Sequence, residues 1–165
     1  MKNSILSLAI IVITLTSSLQ LSAQKFKSLD KSPMDVAVFP SSYKISDKIV
    51  KVIYSRPQLK GRDLVKLAPP EKIWRTGANE ATEITFYKDV IFGGKELKAG
   101  TYSLFTIPSL DEDWIVIINR ARNVWGSYYY NQNQDVIRVS GKTSKIDENI
   151  EVFSMMFDKN MTLKM

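Results

Sequence analysis

Residues 99–119 read AGTYSLFTIPSLDEDWIVIIN and contain the clearest signature of the fold. Two runs rich in β-branched and aromatic residues, at 101–107 and 114–119, indicate β-strands. Pro108 ends the first run, because proline cannot donate a hydrogen bond to a strand ladder. The polar and acidic residues 109–113 are typical of a solvated hairpin tip. This stretch therefore predicts two neighbouring antiparallel strands.

Strand-like runs continue on both sides of this stretch. Gly93-Gly94 separates two short segments and fits a two-residue hairpin turn, in which both residues take a positive φ. Helical signal is weak, because Pro69-Pro70 interrupts the one turn that residues 63–73 could form. The pattern predicts an all-β fold, a single antiparallel β-sandwich or jelly-roll-like domain with one long basic loop. The predicted strands are 49–54, 83–87, 90–92, 95–97, 101–107, 114–119, 136–140 and 151–157.

The composition excludes several kinds of chemistry. The chain has 165 residues and contains neither Cys nor His. Disulfides, thiol nucleophiles, imidazole metal ligands and Ser–His–Asp triads are therefore excluded. Lys and Arg outnumber Asp and Glu by 23 to 17, so the formal net charge is +6, but no run of five basic residues occurs. We predict no nucleic-acid partner, no cofactor and no metal site.

The first 23 residues, MKNSILSLAIIVITLTSSLQLSA, have the pattern of a secretory signal peptide. Lys2 precedes an apolar run at 5–15, which is too short to span a bilayer comfortably as a helix. We expect cleavage after Ala23, which leaves a mature domain of residues 24–165 with no membrane span. The expected location is periplasmic or extracellular. The alternative is an uncleaved membrane anchor.

The long basic loop, RPQLKGRDLVKLAPPEKIWRTGANE, occupies residues 56–80. Loops on a β scaffold commonly carry binding groups. Arg56, Arg62 and Arg75 could each offer a planar guanidinium to a carboxylate, sulfate or phosphate. The alternative is that these arginines pair with nearby acids and fasten the loop to the sheet. The oligomeric state stays open.

The end of this loop, residues 74–80, is the densest in functional groups. Gly77 is expected to allow a tight backbone turn beside Trp74. Asn79 and Glu80 could present donor and acceptor groups to a ligand. They could equally bond the loop backbone, which asparagine does well.

A second candidate region, NVWGSYYYN, occupies residues 123–131. If exposed, Trp125 and Tyr128 would give flat platforms for sugar rings. The alternative is that Trp125 and alternate tyrosines cap the core while their polar groups bond the backbone. No catalytic residue is assigned. The candidate ligand-binding residues are Arg56, Arg62, Trp74, Arg75, Asn79, Glu80, Trp125 and Tyr128.

Several blocks occur in order along the chain: SRP at 55–57, KGR at 60–62, WRTGANEAT at 74–82, AGTYSLFTIP at 99–108 and WG at 125–126. In these blocks the chain resembles the family called domain of unknown function 2911, over residues 32–158. The resemblance implies an exported bacterial protein with one β-rich domain, and it implies no activity. Family members continue with further β sequence, whereas this sequence stops soon after Phe157. We therefore expect a short or absent last strand and an unpaired edge.

Three functions fit these observations, and we favour them in the following order. The first is a non-catalytic binding module for a saccharide or small anionic ligand. The second is a structural or assembly protein of the envelope that docks through an unpaired edge. The third is a carboxylate-dependent glycoside hydrolase or lyase, with Glu80 as acid or base and Glu71 or Asp63 as its partner.

Overall fold

Eight β-strands supply nearly all of the regular structure in the computed structural model, which describes residues 26–158. The predicted signal peptide, residues 1–23, lies outside the described residues. One helical turn, α1 (Leu64–Leu67), and one 3-10 turn (Gln132–Gln134) also occur. The strands are β1 (Met34–Phe39), β2 (Val50–Ser55), β3 (Thr82–Phe86), β4 (Val90–Phe92), β5 (Lys95–Leu97), β6 (Gly100–Ile107), β7 (Trp114–Asn119) and β8 (Asp135–Gly141).

Six of the strands form one sheet in the order β1-β2-β3-β6-β7-β8, and β4 pairs with β5 in a separate hairpin. All of these pairings are antiparallel. The predicted antiparallel all-β fold is confirmed, and β6 and β7 are neighbours as residues 99–119 predict. Gly93 and Gly94 form the predicted hairpin turn, with φ angles of 55° and 80°.

One face of the sheet carries the larger part of the hydrophobic core. Leu104, Ile118 and Ile137 lie in register across three strands and are buried together. The β4–β5 hairpin covers this face through Leu97. Residues 151–157, which we call the C-terminal segment, cover it as well. The inward side chains of that segment are Phe153, Met155 and Phe157.

The opposite face is covered by the chain that connects β7 to β8. Phe105 and Ile117 are completely buried on this face, and Val124 and Tyr130 pack over them. Toward β1 the same face is open, and Met34 is 61% exposed. The second candidate region, residues 123–131, therefore forms part of the core cover through some of its side chains.

Strand β1 was not predicted from the sequence. In its register with β2, Asp35 and Ala37 occupy the positions that face the larger core, because they lie opposite the core residues Tyr54 and Val52. The more apolar Met34 lies on the exposed face. The apolar alternation of β1 is therefore weak, because apolar side chains lie on both of its faces.

The C-terminal segment was predicted as a strand, but it forms only an isolated bridge, between Val152 and Gln58. Two backbone hydrogen bonds fix it beside the basic loop: Leu59 N donates to Glu151 O at 2.9 Å, and Phe153 N donates to Pro57 O at 3.0 Å. Its alternating apolar residues still face the sheet. The alternation of apolar residues in this segment therefore indicates that one of its sides is buried. It does not indicate that the segment pairs with a neighbouring strand.

Neither helical turn in residues 26–158 has the length and apolar character needed to cross a membrane.

Candidate functional site

The two candidate regions lie side by side, although 42 residues, 81–122, separate them in the sequence. The main-chain N–H of Ala81 donates to Val124 O at 2.8 Å, and that of Gly126 donates to Asn79 O at 3.0 Å. Glu80 and Trp125 form an isolated antiparallel bridge between these bonds. Loop 74–80 and loop 123–131 therefore make one continuous surface, which we call the loop junction.

Loop 74–80 is held rigidly against the sheet at its first residue. Trp74 and Thr106 exchange two backbone hydrogen bonds of 2.7 and 3.0 Å. The next residue but one, Thr76, has a φ of 54°, which is a strained conformation for a β-branched side chain. Thr82 holds it there, because its hydroxyl donates to Thr76 O at 2.7 Å. Strained backbone that the surroundings hold in place is common at functional sites.

The structure explains the glycine at position 77 by close packing and not by the predicted tight turn. The residues of the loop with a left-handed φ are Thr76 and Asn79. A Cβ on Gly77 would lie 3.0 Å from the carbonyl oxygen of Ser55 and 3.1 Å from the hydroxyl of Thr82. Glycine is needed here because the loop backbone approaches β2 closely.

Gly126 brings an arginine and a tyrosine together at the loop junction. Its φ is 67°. A Cβ on Gly126 would lie 2.8 Å from the ring of Tyr128 and 3.1 Å from Nη1 of Arg75. Tyr128 and the Arg75 guanidinium therefore lie against the same side of this glycine. Any side chain at position 126 would push at least one of them away.

Arg75 makes few internal contacts. Its Nε donates one long hydrogen bond, 3.4 Å, to Gly77 O. Within residues 26–158, no carboxylate forms an ion pair with it. The neighbouring Glu80 is exposed. The Arg75 guanidinium can therefore accept an external anion without breaking an internal salt bridge.

Asn79 is engaged within the chain. Its amide Nδ2 donates to Asp30 Oδ1 at 3.1 Å, and the same oxygen accepts from Ser32 N at 2.7 Å. The Ser32 amide, followed by the Asn79 amide, lowers the pKa of Asp30. Asn79 thereby fastens the residues before β1 to the loop junction.

The aromatic side chains of loop 123–131 divide into an outward and an inward group. Trp125 is 54% exposed, and Tyr128 and Tyr129 are each 78% exposed. Tyr130 turns inward and packs edge-on against Phe105, with ring centroids 5.2 Å apart. The loop therefore presents flat aromatic surface to solvent and is anchored by its last tyrosine.

A polar network beneath the loop provides this anchor. The Tyr130 hydroxyl donates to Asp135 Oδ2 at 2.6 Å and accepts from Arg138 Nη2 at 2.6 Å. Arg138 Nε also donates to Asp135 Oδ2, at 2.7 Å. Burial and the hydrogen bond to Asp135 raise the pKa of Tyr130. Asn119, which is completely buried, completes the network by donating to Asp135 Oδ1 at 2.7 Å.

Sequence reasoning did not identify this network. Its members lie in different elements, and Asp135 and Arg138 look like ordinary surface charges in the sequence. The one available signal is Asn119, a polar residue that directly follows the apolar run WIVII. A buried amide at the end of such a strand needs partners, and these come from the loop that follows.

Arg56 and Arg62 lie away from the loop junction. Arg56 donates to Phe153 O at 3.1 Å, to Asp35 Oδ2 at 3.1 Å and to Ser154 Oγ at 2.6 Å. It thereby clasps the C-terminal segment to β1. Arg62 donates to the main-chain oxygens of residues 58 and 59 and stabilises its own loop. The contacts of Arg56 match the fastening role that we gave as the alternative, whereas Arg62 pairs with no acid among the described residues.

Trp74 also points away from the loop junction. It is 6% exposed, and its ring packs edge-on against Phe153 at 5.2 Å and Trp114 at 6.1 Å. Of the eight predicted site residues, the structure thus brings five together. They are Arg75, Asn79, Glu80, Trp125 and Tyr128.

The part of the chain that the structure describes contains no group of three or more acidic residues arranged to hold a metal ion. A small cavity of about 250 Å³ adjoins the loop junction, between β2 and loop 123–131. Glu80 and Glu83 line it, together with Met34 and Asn123. The loop junction therefore has two acidic side chains, Glu80 and Glu83, beside this cavity, and it has the cationic side chain of Arg75 beside Gly126.

A family model described as "Protein of unknown function (DUF2911)" matches residues 33–165. The chain belongs to the DUF2911 family. The match extends over the whole DUF2911 sheet and over both loops of the junction. No similar curated protein and no similar solved structure was found. The function of this DUF2911 chain therefore has to be argued from its own geometry.

Proposed function

We propose that this chain is an exported, non-catalytic binding module for a saccharide that carries an anionic group, such as a uronic acid residue. The observation that supports this most strongly is the packing of Arg75 and Tyr128 against the same side of Gly126. Trp125 is exposed directly before that glycine. A planar cation and two aromatic surfaces are thus available at one place.

The chemistry of each group matches a different part of such a ligand. Sugar rings have apolar C–H faces that stack on exposed aromatic rings, and Trp125 and Tyr128 supply these. A guanidinium binds a carboxylate through two parallel hydrogen bonds. Because Arg75 has no internal ion pair among the described residues, the ligand carboxylate displaces no carboxylate that is already paired with it.

The rigidity of the loop junction favours binding. Loop 74–80 is bonded to β6 at Trp74 and to loop 123–131 at Glu80. Tyr130 and the polar network fix the far end of loop 123–131. Ordering flexible loops costs free energy on association, and a preorganised surface avoids most of this cost.

Calorimetric titration of residues 24–165 with matched neutral and uronic-acid oligosaccharides tests the proposal. We expect the acidic sugars to bind more tightly. Arg75→Gln should remove that preference and leave the neutral sugars unaffected. Tyr128→Ala should weaken both kinds of sugar about tenfold, which corresponds to about 1.4 kcal/mol.

Two control variants are available in or directly before loop 123–131. Tyr129 is as exposed as Tyr128 but is not among the nearest neighbours of a Cβ on Gly126, so Tyr129→Ala should keep the affinity. Arg122 is exposed, and Arg122→Gln removes the same charge as Arg75→Gln. If the controls lower affinity as much as the test variants, binding is merely electrostatic or nonspecific. No heat change with any sugar would refute the proposal.

The edge of the sheet favours a second candidate, an assembly role in the envelope. β1 is an edge strand, and Met34 and Val36 expose apolar side chains on its open face. An uncovered edge with apolar side chains can pair with another chain. Light scattering behind a sizing column at increasing concentration tests this candidate. A monomer at all concentrations, for both the native protein and Val36→Lys, would exclude self-assembly through β1.

A further inference from the structure

A cavity of about 490 Å³ lies between the basic loop around α1 and the residues that lead into the C-terminal segment. This volume is in the range typical of small-molecule sites. Its walls are largely apolar, and we call it the Trp74 cavity. The apolar lining includes Leu59, Leu64, Trp74, Ile146, Ile150 and Phe153.

Trp74 lines this cavity, and its indole N–H has no acceptor among the described residues. The residue is 6% exposed, yet its indole N–H donates no hydrogen bond to any described residue. Between residues 26 and 158, no fully buried side-chain nitrogen or oxygen lacks a partner. The indole nitrogen is therefore in contact with open space. A buried tryptophan normally finds an acceptor for this group.

Three of the five polar side chains that line the cavity are acidic. Asp147, Glu148 and Glu151 all line it. Glu151 accepts from the backbone N–H of Lys60 at 2.7 Å, and the other two carboxylates have no hydrogen bond or ion pair among the described residues. None of the described residues that line the cavity is Lys or Arg. The charged side chains that line the cavity are therefore all acidic, although the chain as a whole has a net charge of +6.

We infer that the Trp74 cavity binds a small amphipathic cation, an aromatic or aliphatic group that carries an ammonium. The apolar part would lie on Trp74 and Phe153, and the ammonium would face Asp147 and Glu148. Leu64 and Ile150 are half exposed in the free protein, and such a ligand would cover them. This site is separate from the loop junction, and the inference does not depend on the saccharide proposal.

A series of three small probes separates charge from shape. Phenethylamine, 2-phenylethanol and phenylacetate share one ring and differ in carrying a positive, zero or negative charge. We expect phenethylamine to bind about tenfold more tightly than 2-phenylethanol at low salt, and phenylacetate to bind most weakly. Raising the ionic strength should reduce the difference between the first two.

Indole N–H resonances in a ¹H–¹⁵N spectrum locate the binding, because the chain has three tryptophans. Trp125→Phe and Trp114→Phe identify their own peaks, so the Trp74 peak follows by elimination. We expect phenethylamine to shift the Trp74 peak and leave the Trp125 peak in place. An unmoved Trp74 peak at millimolar probe would overturn the inference.

Charge variants test the role of the acidic wall. The double variant Asp147→Asn, Glu148→Gln should abolish the preference for phenethylamine over 2-phenylethanol. The matched control Asp111→Asn, Glu112→Gln removes the same charge from the exposed loop between β6 and β7 and should keep the preference. Equal loss in both would show that only net charge matters, and would refute a site at the cavity.

Discussion

The buried amide of Asn119 is the position where one substitution should destabilise the fold most clearly. Its Nδ2 donates to Asn131 O at 3.0 Å and to Asp135 Oδ1 at 2.7 Å, and its Oδ1 accepts from Ala121 N at 2.9 Å. Asn119→Ala removes all three bonds, and it leaves the Asp135 carboxylate, whose side chain is only 10% exposed, without one of its donors.

The expected loss follows from these contacts. Hydrogen bonds between neutral groups contribute about 1 kcal/mol each, and one to a carboxylate contributes about 1.5–3 kcal/mol. We therefore expect Asn119→Ala to lower the free energy of unfolding by about 3–5 kcal/mol. This is a large part of the 5–15 kcal/mol or so by which domains are typically stable.

Urea unfolding followed by tryptophan fluorescence measures this loss. With a slope of about 2 kcal/mol per molar urea, the midpoint should fall by about 1.5–2.5 M. Asn133→Ala is the matched control, because Asn133 is exposed and its side chain makes no hydrogen bond among the described residues. A loss below about 1 kcal/mol, or one equal to that of the control, would refute the reasoning.

Three further predictions concern the titration of Tyr130, the titration of Asp113 and the hydrogen bonds of Arg56. Because the pKa of Tyr130 is raised, its contribution to stability is present below about pH 10 and is lost as pH rises through the raised value. In a plot of the urea midpoint against pH, Tyr130→Phe should make the fall at alkaline pH shallower than in the native protein. An equally steep fall in both proteins would contradict this prediction. The backbone N–H of Thr143 lowers the pKa of Asp113, so that contribution is present above about pH 4 and is lost as pH falls through the lowered value. In the same plot, Asp113→Asn should make the fall of the urea midpoint at acid pH shallower than in the native protein. An equally steep fall would count against this prediction. Arg56→Lys should speed amide hydrogen exchange in the C-terminal segment about tenfold, since lysine cannot make all three bonds of the clasp, and equal rates would show that the clasp is dispensable.

Much of the fold could be predicted, because the strands β6 and β7 are rich in β-branched and aromatic residues and the hairpin turn has two glycines. Where prediction failed, alternation was ambiguous. In β1, Asp35 lies on the core-facing side, opposite Tyr54, and the apolar Met34 lies outside. In the C-terminal segment the alternation was present, but its backbone groups bond a loop rather than a neighbouring strand.

The site was harder to predict than the fold, because it depends on contacts between distant residues. Loop 74–80 and loop 123–131 were each identified, but no local pattern indicates that Gly126 touches Arg75. Arg56 and Arg75 look alike in sequence. The acceptor Phe153 O lies 97 residues away from Arg56, and it is such distant contacts that make Arg56 a clasp and leave Arg75 an available cation.

The position of the C-terminal segment also has a consequence for synthesis. The main-chain N–H of Met155 donates to the hydroxyl of Tyr54, which lies 101 residues earlier in the chain. At ribosomal rates of about 5–20 residues per second, the two are made about 5–20 seconds apart. During that interval the larger apolar face of the sheet lacks the cover that the C-terminal segment provides. A chaperone that recognises exposed apolar strands can therefore bind the nascent chain during this interval. The interval ends when the C-terminal segment has been synthesised.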